Sequence, residues 1–286
     1  MDKYQNYLYE LFSPYQVPPS YPTYPPQHVG PYMEEYYVDS FRQEKGPFKR
    51  YLLPIYWTSC YLHNNTDGLQ NILASLDQGK KYFAVCTHDD APNESLPPDT
   101  VTFSGGGNKG DIPIPLICSG YTKVKHNLDR DIFCSFIGSL THPIRQEVFH
   151  SLKDKSNYIL SMDQWSDTIT ENKATTFRSI MERSKFTLCP RGYGVTSYRL
   201  YEALQLGSVP VFVYDKPWFP WETELEWDEF CVLVKREEIP YIDSILKEYS
   251  EQDIIDMSQR GQEIYQSHFS MEATYRIITQ KVRICK

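Results

Sequence analysis

Short apolar runs alternate with segments whose apolar residues recur every three or four positions. In the first half of the chain, apolar runs predict strands at 50–57 (RYLLPIYW), 81–87 (KYFAVCT), 99–104 (DTVTFS) and 112–119 (IPIPLICS). Between the first two runs, residues 68–79 predict a helix, because four of them share one helical face: Leu69, Ile72, Leu73 and Leu76. This order of elements predicts an α/β domain.

The second half repeats this alternation more regularly. Strands are predicted at 131–139, 157–162, 185–190 and 208–215, with helices at 142–154, 176–184 and 196–207 between them. Strands that alternate with helices imply a parallel sheet, and the segment from Ile239 onward is mostly helical. The break in pattern at 123–130 predicts two domains, 1–125 and 126–286, although the terminal helices can pack back on the first domain.

A proline-rich segment precedes the first domain's strands. Seven prolines stand among tyrosines from Pro14 to Pro31, a composition typical of a disordered tail or a polyproline ligand. Because aromatic residues follow at once with helical spacing in 30–42 (GPYMEEYYVDSFR), we expect an extended arm that packs on the domain.

Composition narrows the function classes. The 286 residues are 41% hydrophobic, enough for a large core, and the net charge of −8 argues against a nucleic-acid binder. Most of the 7 cysteines lie in or beside apolar runs and none forms a CxxC pair, which favours buried thiols over a disulfide framework or a zinc site. No signal pattern begins the sequence and no apolar stretch approaches the ~20 residues that span a bilayer. We therefore expect a soluble, cytoplasmic protein.

Polar residues follow the predicted strand 185–190, at the edge of the sheet where ligands bind in open α/β folds. Pro190-Arg191-Gly192-Tyr193-Gly194 leads into a helix capped by Thr196 or Ser197. Glycines allow close backbone approach, and a helix N-terminus offers N–H groups to a phosphate. Arg199 and Glu202 then share one helical face, either as functional residues or as a weak surface ion pair. The absence of GxGxxG and of GxxxxGK[ST] argues against dinucleotide binding and ATP hydrolysis.

A second anion-binding geometry is predicted at 136–149. A strand ends in Phe-Ile-Gly-Ser, which includes Gly138, and His142 and Arg145 open the following helix. The alternative is a capped loop with a solvated Arg145. Two such sites in one domain suit a diphosphate that carries a group at each end.

The first domain offers an acidic strand end. His88, Asp89 and Asp90 follow the strand 81–87, where they either cap a turn or supply a carboxylate general base. The nearby loop 104–113, with Gly106 and Asn108, is a candidate for acceptor binding or closure. Asp129-Arg130-Asp131 spells a DxD metal motif, but it precedes a strand instead of following one, so no metal site is predicted.

The motif at 184–212 closely resembles the signature of exostosin-like glycosyltransferases. That signature is a strand ending Pro-x-Gly, then Ser-x-Arg-x-x-Glu-Ala and Gly-x-x-Pro-Val, and this chain matches it at nine positions: Pro190, Gly192, Ser197, Arg199, Glu202, Ala203, Gly207, Pro210 and Val211. FIGSLTHPIR (136–145) resembles the family's Phe-x-Gly segment with its following arginine, and HVGPYMEEYY (28–37) resembles its N-terminal segment.

The resemblance implies a GT-B fold, α/β with two Rossmann-like domains that face a central cleft. It implies inversion at the anomeric carbon, no cofactor and no essential metal, with a nucleotide-sugar donor held mainly by the second domain and a glycan or glycoprotein acceptor. On this basis Glu202 is expected to accept hydrogen bonds from the donor ribose, and Arg145 and Arg199 to neutralise the diphosphate. The other expected donor-binding residues are Gly138, His142, Arg191, Gly192, Tyr193, Gly194 and Ser197.

For the base, Asp90 is the first choice and Asp89 the second, while His88 is expected to orient or tune a carboxylate. The chain departs from the family in its short length and in the lack of an apolar anchor, and in both respects it is similar to compact exostosin-like enzymes of large algal DNA viruses. One of those enzymes resembles this chain in its layout and adds xylose to a glycan, so the resemblance implies UDP-xylose as donor. The alternative is a catalytically silent GT-B protein that binds glycans or scaffolds partners. An oxidoreductase is the weakest alternative, since GxGxxG is absent.

Overall fold

The described part of the chain forms two compact units, each with its own parallel sheet. The computed structural model describes residues 2–17, 31–117, 121, 129–166 and 169–284. Of these, the first unit takes the residues within Met1–Tyr21, Gly30–Ser119 and Met271–Lys286, and the second takes those within Gly120–Ser270. The predicted boundary between 125 and 126 lies outside the described residues and stays a prediction, as does the proline-rich arm between residues 18 and 30.

The first unit is built around a four-stranded sheet. In chain order its elements are α1 (Lys3–Leu11), α2 (Met33–Phe41), β1 (Tyr51–Leu52), α3 (Trp57–Leu62), α4 (Leu69–Ser75), β2 (Tyr82–Cys86), β3 (Val101–Ser104), β4 (Ile112–Pro113) and α10 (Met271–Ile284). The strands pair in the order β1-β2-β3-β4, and each pairing is parallel. A core of this unit contains Leu8 of α1 and Phe12, which caps the end of that helix, together with the buried Trp57.

Two strands of this unit are shorter than the sequence predicted, because proline cannot donate to a sheet ladder. The segment predicted as a strand at 50–57 pairs only at Tyr51–Leu52; Pro54 follows, and Trp57 already begins α3. Within the described part of the segment predicted at 112–119, which ends at residue 117, only Ile112–Pro113 pair with β3, and Pro115 follows.

Helix α10 belongs to the first unit although it is the last described helix in the chain. The Tyr37 and Thr279 hydroxyls lie 3.1 Å apart between α2 and α10, and the Tyr275 hydroxyl donates to the carboxylate of Glu44 at 2.7 Å. The side chain of Arg283 also donates to Glu44, at 2.5 Å. A helix encoded after the second unit therefore completes the surface of the first.

The second unit contains the longer strands. Its elements are β5 (Ile132–Ser139), α5 (Pro143–Leu152), β6 (Tyr158–Asp163), α6 (Glu171–Arg183), β7 (Ser184–Pro190), α7 (Tyr198–Leu206), β8 (Val209–Tyr214), β9 (Val232–Lys235), α8 (Ile242–Lys247) and α9 (Glu251–Ile264). The strand order is β6-β5-β7-β8-β9, all parallel. Helix α6 begins five residues before its predicted start at 176, because Thr170 caps it by accepting from the Lys173 N–H.

Together the two sheets confirm the α/β class with two parallel-sheet domains that was predicted for a GT-B glycosyltransferase. The cores also hold the buried cysteines: Cys60, Cys86, Cys134, Cys189 and Cys231 are all free thiols. Within the described ranges, no helix combines the length and apolar character needed to cross a membrane. Because parallel strands end at one edge of each sheet, the polar residues predicted at strand ends gather at those edges.

Candidate active site

A cavity of about 410 Å³ lies in the second unit, where β5 and β6 end. Its walls come from the ends of these two strands, from one face of α6 and from the first turns of α7. Five of the predicted donor-binding residues line it: Gly138, Arg145, Ser197, Arg199 and Glu202. The other five, which the same cavity does not include, stand in the turns before α5 and α7: His142, Arg191, Gly192, Tyr193 and Gly194.

Arg199 is the most unusual group in this wall. It is 7% exposed, and its Nη2 donates to the Ile137 carbonyl at 2.5 Å. Its Nε and Nη1 atoms are buried and have no hydrogen-bond partner among the residues that the structure describes. The guanidinium carbon lies 4.6 Å from the centre of the Phe136 ring, which supplies a cation–π contact but no hydrogen-bond acceptor. A buried cation with two unused N–H donors is suited to binding an anion.

Gly138 makes room for this guanidinium. A Cβ atom at position 138 would lie 2.5 Å from Nη2 of Arg199 and 3.3 Å from its Cζ, so any larger residue would displace the side chain. The glycine of Phe-Ile-Gly-Ser and the arginine of the α7 motif are thus one structural unit, although 61 positions separate them in the sequence.

Glu202 lies one helical turn after Arg199 and also faces the cavity. Burial raises the pKa of its carboxyl group to about 7, while the charge of Arg199 and a hydrogen bond from Tyr121 act in the opposite direction. That hydrogen bond runs from the Tyr121 hydroxyl to Oε1 at 3.3 Å. The carboxylate can therefore accept further hydrogen bonds from hydroxyl groups of a ligand.

Arg145 and His142 hold the start of α5. The Arg145 side chain donates from Nε to the Arg191 carbonyl and from Nη1 to the Ser139 carbonyl, both at 2.9 Å. It therefore ties the ends of β5 and β7 together and is not a solvated side chain. His142 is the N-cap of α5, where its Nδ1 accepts from the Ile144 N–H at 3.3 Å. Burial, helped by the charge of Arg191, lowers the pKa of this imidazole.

Arg191 stabilises the glycine-bearing turn before α7 through hydrogen bonds from its side chain. Arg191 donates from Nη2 to the Tyr193 carbonyl at 2.9 Å and from Nε to the Gly194 carbonyl at 3.1 Å. Its Nη1 forms an ion pair with Asp215 at 2.8 Å. Tyr193 at the tip of the turn is 60% exposed. Ser197 is the N-cap residue of α7, in extended conformation and without a side-chain capping bond.

In the first unit, the predicted base candidates lie beside the predicted loop. The Asp90 N–H donates to Nδ1 of His88 at 3.2 Å, and the Asn108 amide donates to Oδ1 of Asp90 at 3.0 Å. A Cβ at Gly106 would come within 2.7 Å of the Asp89 nitrogen, so only glycine allows this approach. These five residues form one cluster, because β2 and β3 end side by side in the sheet, with Cys86 paired to Ser104.

The His88 ring in this cluster stacks near Tyr61, with ring centres 5.1 Å apart. Burial lowers the pKa of the imidazole, although the charge of Asp90 opposes the shift. A neutral imidazole that accepts from the Asp90 N–H fixes the turn rather than taking a proton itself. The contact is with the backbone of Asp90 and not with its carboxylate, so the expected role of His88 in orienting or tuning a carboxylate stays a prediction.

Asp129 and Asp131 are placed differently. They precede β5, at the edge of the sheet away from the carboxyl ends, and Asp131 forms an ion pair with Arg183. Across the parts of the chain with described coordinates, no cluster of three or more histidine, cysteine or acidic side chains could hold a metal ion.

The sequence did not predict that β6 and α6 form a wall of the cavity, or that Tyr121 contacts Glu202. Strand β6 exposes every second residue, and those at Ile159, Ser161 and Asp163 line the cavity. The alternation of Tyr-Ile-Leu-Ser-Met-Asp was a signal for this, since a fully buried parallel strand has no polar positions. Nothing in the sequence near Tyr121 marked it as a neighbour of α7.

Comparisons with known proteins identify relatives of this chain. The family model described as the Exostosin GT47 domain matches residues 100–249. A probable glycosyltransferase of Arabidopsis thaliana is 31% identical over 144 residues, which cover 50% of this chain and 26% of the relative. A probable glucuronosyltransferase of Oryza sativa subsp. japonica is 40% identical over 89 residues, which cover 31% of this chain and 20% of the relative. A probable beta-1,4-xylosyltransferase of Arabidopsis thaliana is 31% identical over 102 residues, which cover 36% of this chain and 22% of the relative. The matched regions thus span about a quarter of these relatives or less.

Solved structures give weaker likenesses. TarM is similar over 74% of this chain and 52% of its own, with a TM-score of 0.45 and 6% identity. The pneumococcal O-GlcNAc transferase GtfA, in complex with UDP and GlcNAc, is similar over 77% of this chain and 47% of its own, with a TM-score of 0.43 and 15% identity. No conclusion about the site is drawn from likenesses of this size.

Proposed function

The chain belongs to the exostosin GT47 family of glycosyltransferases, and we propose that it inverts the anomeric centre as it transfers a sugar from a UDP-sugar to a glycan hydroxyl group. The observation that carries this proposal is the buried guanidinium of Arg199 in the cavity wall, with Nε and Nη1 unused. Leaving such donors buried is costly, and a ligand anion that accepts from both removes the cost.

The leaving group of the reaction supplies that anion. Negative charge grows on the diphosphate as the glycosidic bond breaks, so a fixed guanidinium stabilises the transition state more than the ground state. Arg145 and the N-terminal turns of α5 and α7 add positive potential beside Arg199. These groups take the place that a divalent cation holds in metal-dependent transferases.

The nucleoside end of the donor is assigned to Glu202. Its carboxylate faces the same cavity as Arg199 and offers acceptor positions beyond the one used by Tyr121. Two ribose hydroxyls can donate to it while the diphosphate lies on Arg199. A hydrogen bond to a charged partner contributes about 1.5–3 kcal/mol.

For the sugar, UDP-xylose is the first donor to test and UDP-glucuronic acid the second. The similar Arabidopsis protein carries the description xylosyltransferase and the similar rice protein the description glucuronosyltransferase. Product analysis with each UDP-sugar and a panel of glycan acceptors would identify the donor and show whether the product has the inverted anomeric configuration.

Calorimetry with UDP tests the site directly. Glu202→Ala is expected to weaken UDP binding about ten- to a hundredfold, because a charge-assisted hydrogen bond is lost. Glu147→Ala, which removes a carboxylate paired with Arg236 on the exposed side of α5, serves as the matched control and should bind UDP like the wild type. Equal UDP affinity in the two variants would contradict the assignment of Glu202. A wild-type protein that binds UDP but turns over no UDP-sugar would favour a silent glycan-binding protein.

The absence of an essential metal is a separate part of the proposal. Because arginines neutralise the leaving group, the transfer rate is expected to survive EDTA. Loss of the rate in EDTA and its recovery with Mn²⁺ would contradict this and would make Asp129 and Asp131 candidate ligands again.

A further inference from the structure

Tyr121 is held against α7 by one side chain. The Gln205 amide accepts from the Tyr121 N–H at 2.9 Å and donates to the Tyr121 carbonyl at 3.1 Å. Gln205 is itself 9% exposed, so its amide group has little freedom to turn. Both backbone polar groups of Tyr121 are thereby satisfied by a residue that stands three positions after Glu202.

The ring of Tyr121 is fixed as well. The guanidinium carbon of Arg178 lies 5.0 Å from the ring centre, and Nε of Arg178 is anchored by Glu182 at 2.9 Å. The two hydrogen bonds from Gln205 of α7 and the contact with Arg178 of α6 hold Tyr121 in place. Its hydroxyl group then lies 3.3 Å from Oε1 of Glu202. Three separate contacts thus converge on one hydrogen bond to a carboxylate in the cavity wall.

We infer that Tyr121 is a positioning residue, which holds the Glu202 carboxylate in the orientation that receives the ribose hydroxyls of the nucleotide. The inference rests on the proposed function. A glutamate side chain has three rotatable bonds, and a donor attached to one oxygen fixes the direction of the other. Tyr121 also supplies a donor that favours the ionised form of the carboxyl group, which is the form that accepts two hydroxyls.

This role predicts a pH dependence of nucleotide binding. The pKa of Glu202 is raised to about 7 by burial, so UDP affinity should fall as the pH drops through this value and the carboxyl group becomes protonated. Removal of the Tyr121 hydroxyl takes away a contact that lowers this pKa, which moves the fall in affinity to higher pH. Other charged or titratable groups that face this region from α5, α6, β6, β7 and α7 are Arg145, Lys173, Arg178, Asp163, Cys189, Tyr198 and Arg199.

The test measures UDP affinity by calorimetry from pH 6 to pH 9 for the wild type and Tyr121→Phe. We expect the variant to bind within about twofold of the wild type at pH 8.5 and about fivefold more weakly at pH 6.5, as one lost hydrogen bond implies. Gln205→Leu keeps the hydroxyl group but removes the two hydrogen bonds that hold the Tyr121 backbone, and it should shift the pH profile in the same direction. Melting curves of each variant confirm that it is folded.

Tyr158→Phe is the matched control. Its hydroxyl also donates to a carboxylate, Asp243, at 3.1 Å in the same unit, but neither residue lines the cavity. This variant should lose stability without a shift in the pH profile. A uniform loss of affinity at every pH in Tyr121→Phe, as in a merely loosened fold, would overturn the inference.

A second ligand separates the inference from the proposed function. The wild type should bind 2′,3′-dideoxy-UDP more weakly than UDP. Should the two bind equally well, or should UDP not bind, the ribose assignment of Glu202 fails and the inference with it. Should UDP bind more tightly while Tyr121→Phe keeps the wild-type pH profile, the inference alone is overturned.

Discussion

At the scale of single residues, the chain buries ionisable side chains where an ordinary core would exclude them. Arg199 in the second unit is one case, and the neighbouring Glu34 and Glu35 of α2 are another. Glu34 accepts hydrogen bonds from the backbone and hydroxyl groups of both Thr58 and Thr87, at 2.5 to 3.0 Å. Glu35 is only 6% exposed, and among the described residues no side chain forms a hydrogen bond with its carboxylate oxygens.

Gly138→Ala should displace the side chain of Arg199, although it leaves that residue itself unchanged. The added methyl group would lie 2.5 Å from Nη2 of Arg199 and push the guanidinium away from the Ile137 carbonyl. We expect UDP affinity, measured by calorimetry, to fall at least tenfold, by the loss of one charge-assisted contact.

Gly261→Ala provides the comparison, because its methyl group would lie 2.8 Å from the Leu204 side chain, in the core of the same unit. It should lower the melting temperature and leave UDP affinity unchanged. Weakened binding in both variants would point to general destabilisation instead of displacement of Arg199.

Glu35 should make stability depend on pH. Burial raises its pKa from 4.5 to about 8, with a smaller effect of the neighbouring Glu34, so the folded state prefers the protonated form. The stability that this preference contributes is fully present below pH 4.5 and is lost as the pH rises through about 8. Glu35→Gln, which stays neutral, should melt several degrees above the wild type at pH 8.5, since a shift of this size corresponds to a few kcal/mol at most.

The melting difference between Glu35→Gln and the wild type should shrink towards pH 5. Glu44→Gln, at a glutamate of the same unit that is paired with Arg283, tests whether the effect belongs to the burial of Glu35. A wild-type advantage at pH 8.5 would show that Glu35 is ionised and paired in the folded protein.

At the scale of secondary-structure elements, the strand-turn-helix unit from β7 to α7 performs several tasks. Its strand and helix bury the residues of the apolar runs, and Leu200, Ala203 and Leu204 are all 1% exposed or less. Its turn is stabilised by the Arg191 side chain, which donates to three carbonyls of the turn and to the carboxylate of Asp215. The element thus supplies both the scaffold and the wall of the cavity.

Arg191→Ala should loosen this turn. Hydrogen exchange of residues 192–197 is expected to accelerate and UDP affinity to fall about tenfold, since the side-chain contacts that order the turn disappear. Arg183→Ala, which removes a similar but exposed pair with Asp131, should change neither quantity. Weaker binding of inorganic pyrophosphate without faster exchange would instead mean that Arg191 binds the diphosphate directly.

The elements were largely predictable from the sequence, whereas the contacts of the site were not. Periodicity predicted β5 to β8 and the helices α5 to α7 of the second unit, because each must bury one face or both, but strand β9 was not predicted. It failed at β1 and β4, where proline stops the ladder, and at α3, where Trp57 begins a helix inside an apolar run. The pairs Gly138–Arg199 and Tyr121–Gln205 depend on how α7 lies against β5 and α6, which no local pattern encodes.

At the scale of the whole molecule, the two units have different predicted tasks. The second contains the arginines and Glu202, which are proposed to hold the donor, and the first contains the cluster around Asp90. The formal charge of the protein is −8, so the cationic groups that receive a diphosphate are a local exception within an acidic protein. Such a charge balance is compatible with anion binding because the field of a buried arginine is screened little by salt.

Asp90→Asn should separate catalysis from donor binding. The amide keeps the shape of the carboxylate and can still accept from Asn108, but it cannot take a proton. We expect kcat to fall about 10²–10⁴-fold, while UDP affinity and the melting temperature stay close to wild-type values. Asp89→Asn, measured in parallel, shows whether the neighbouring acid has this role. Near-normal turnover in both variants would place the base elsewhere.

The return of α10 to the first unit has a consequence for how the protein is made. A ribosome synthesises α2 and β1 to β4 first, then the entire second unit, and only then the helix that packs on α2 through Tyr37 and Thr279. The second unit can therefore finish folding during translation, whereas the first waits for residues 271–284 with the α10-facing side of α2 uncovered. A gene fragment that stops near residue 119 would encode an incomplete unit, and a circular permutant that joins α10 to α1 would make the first unit continuous.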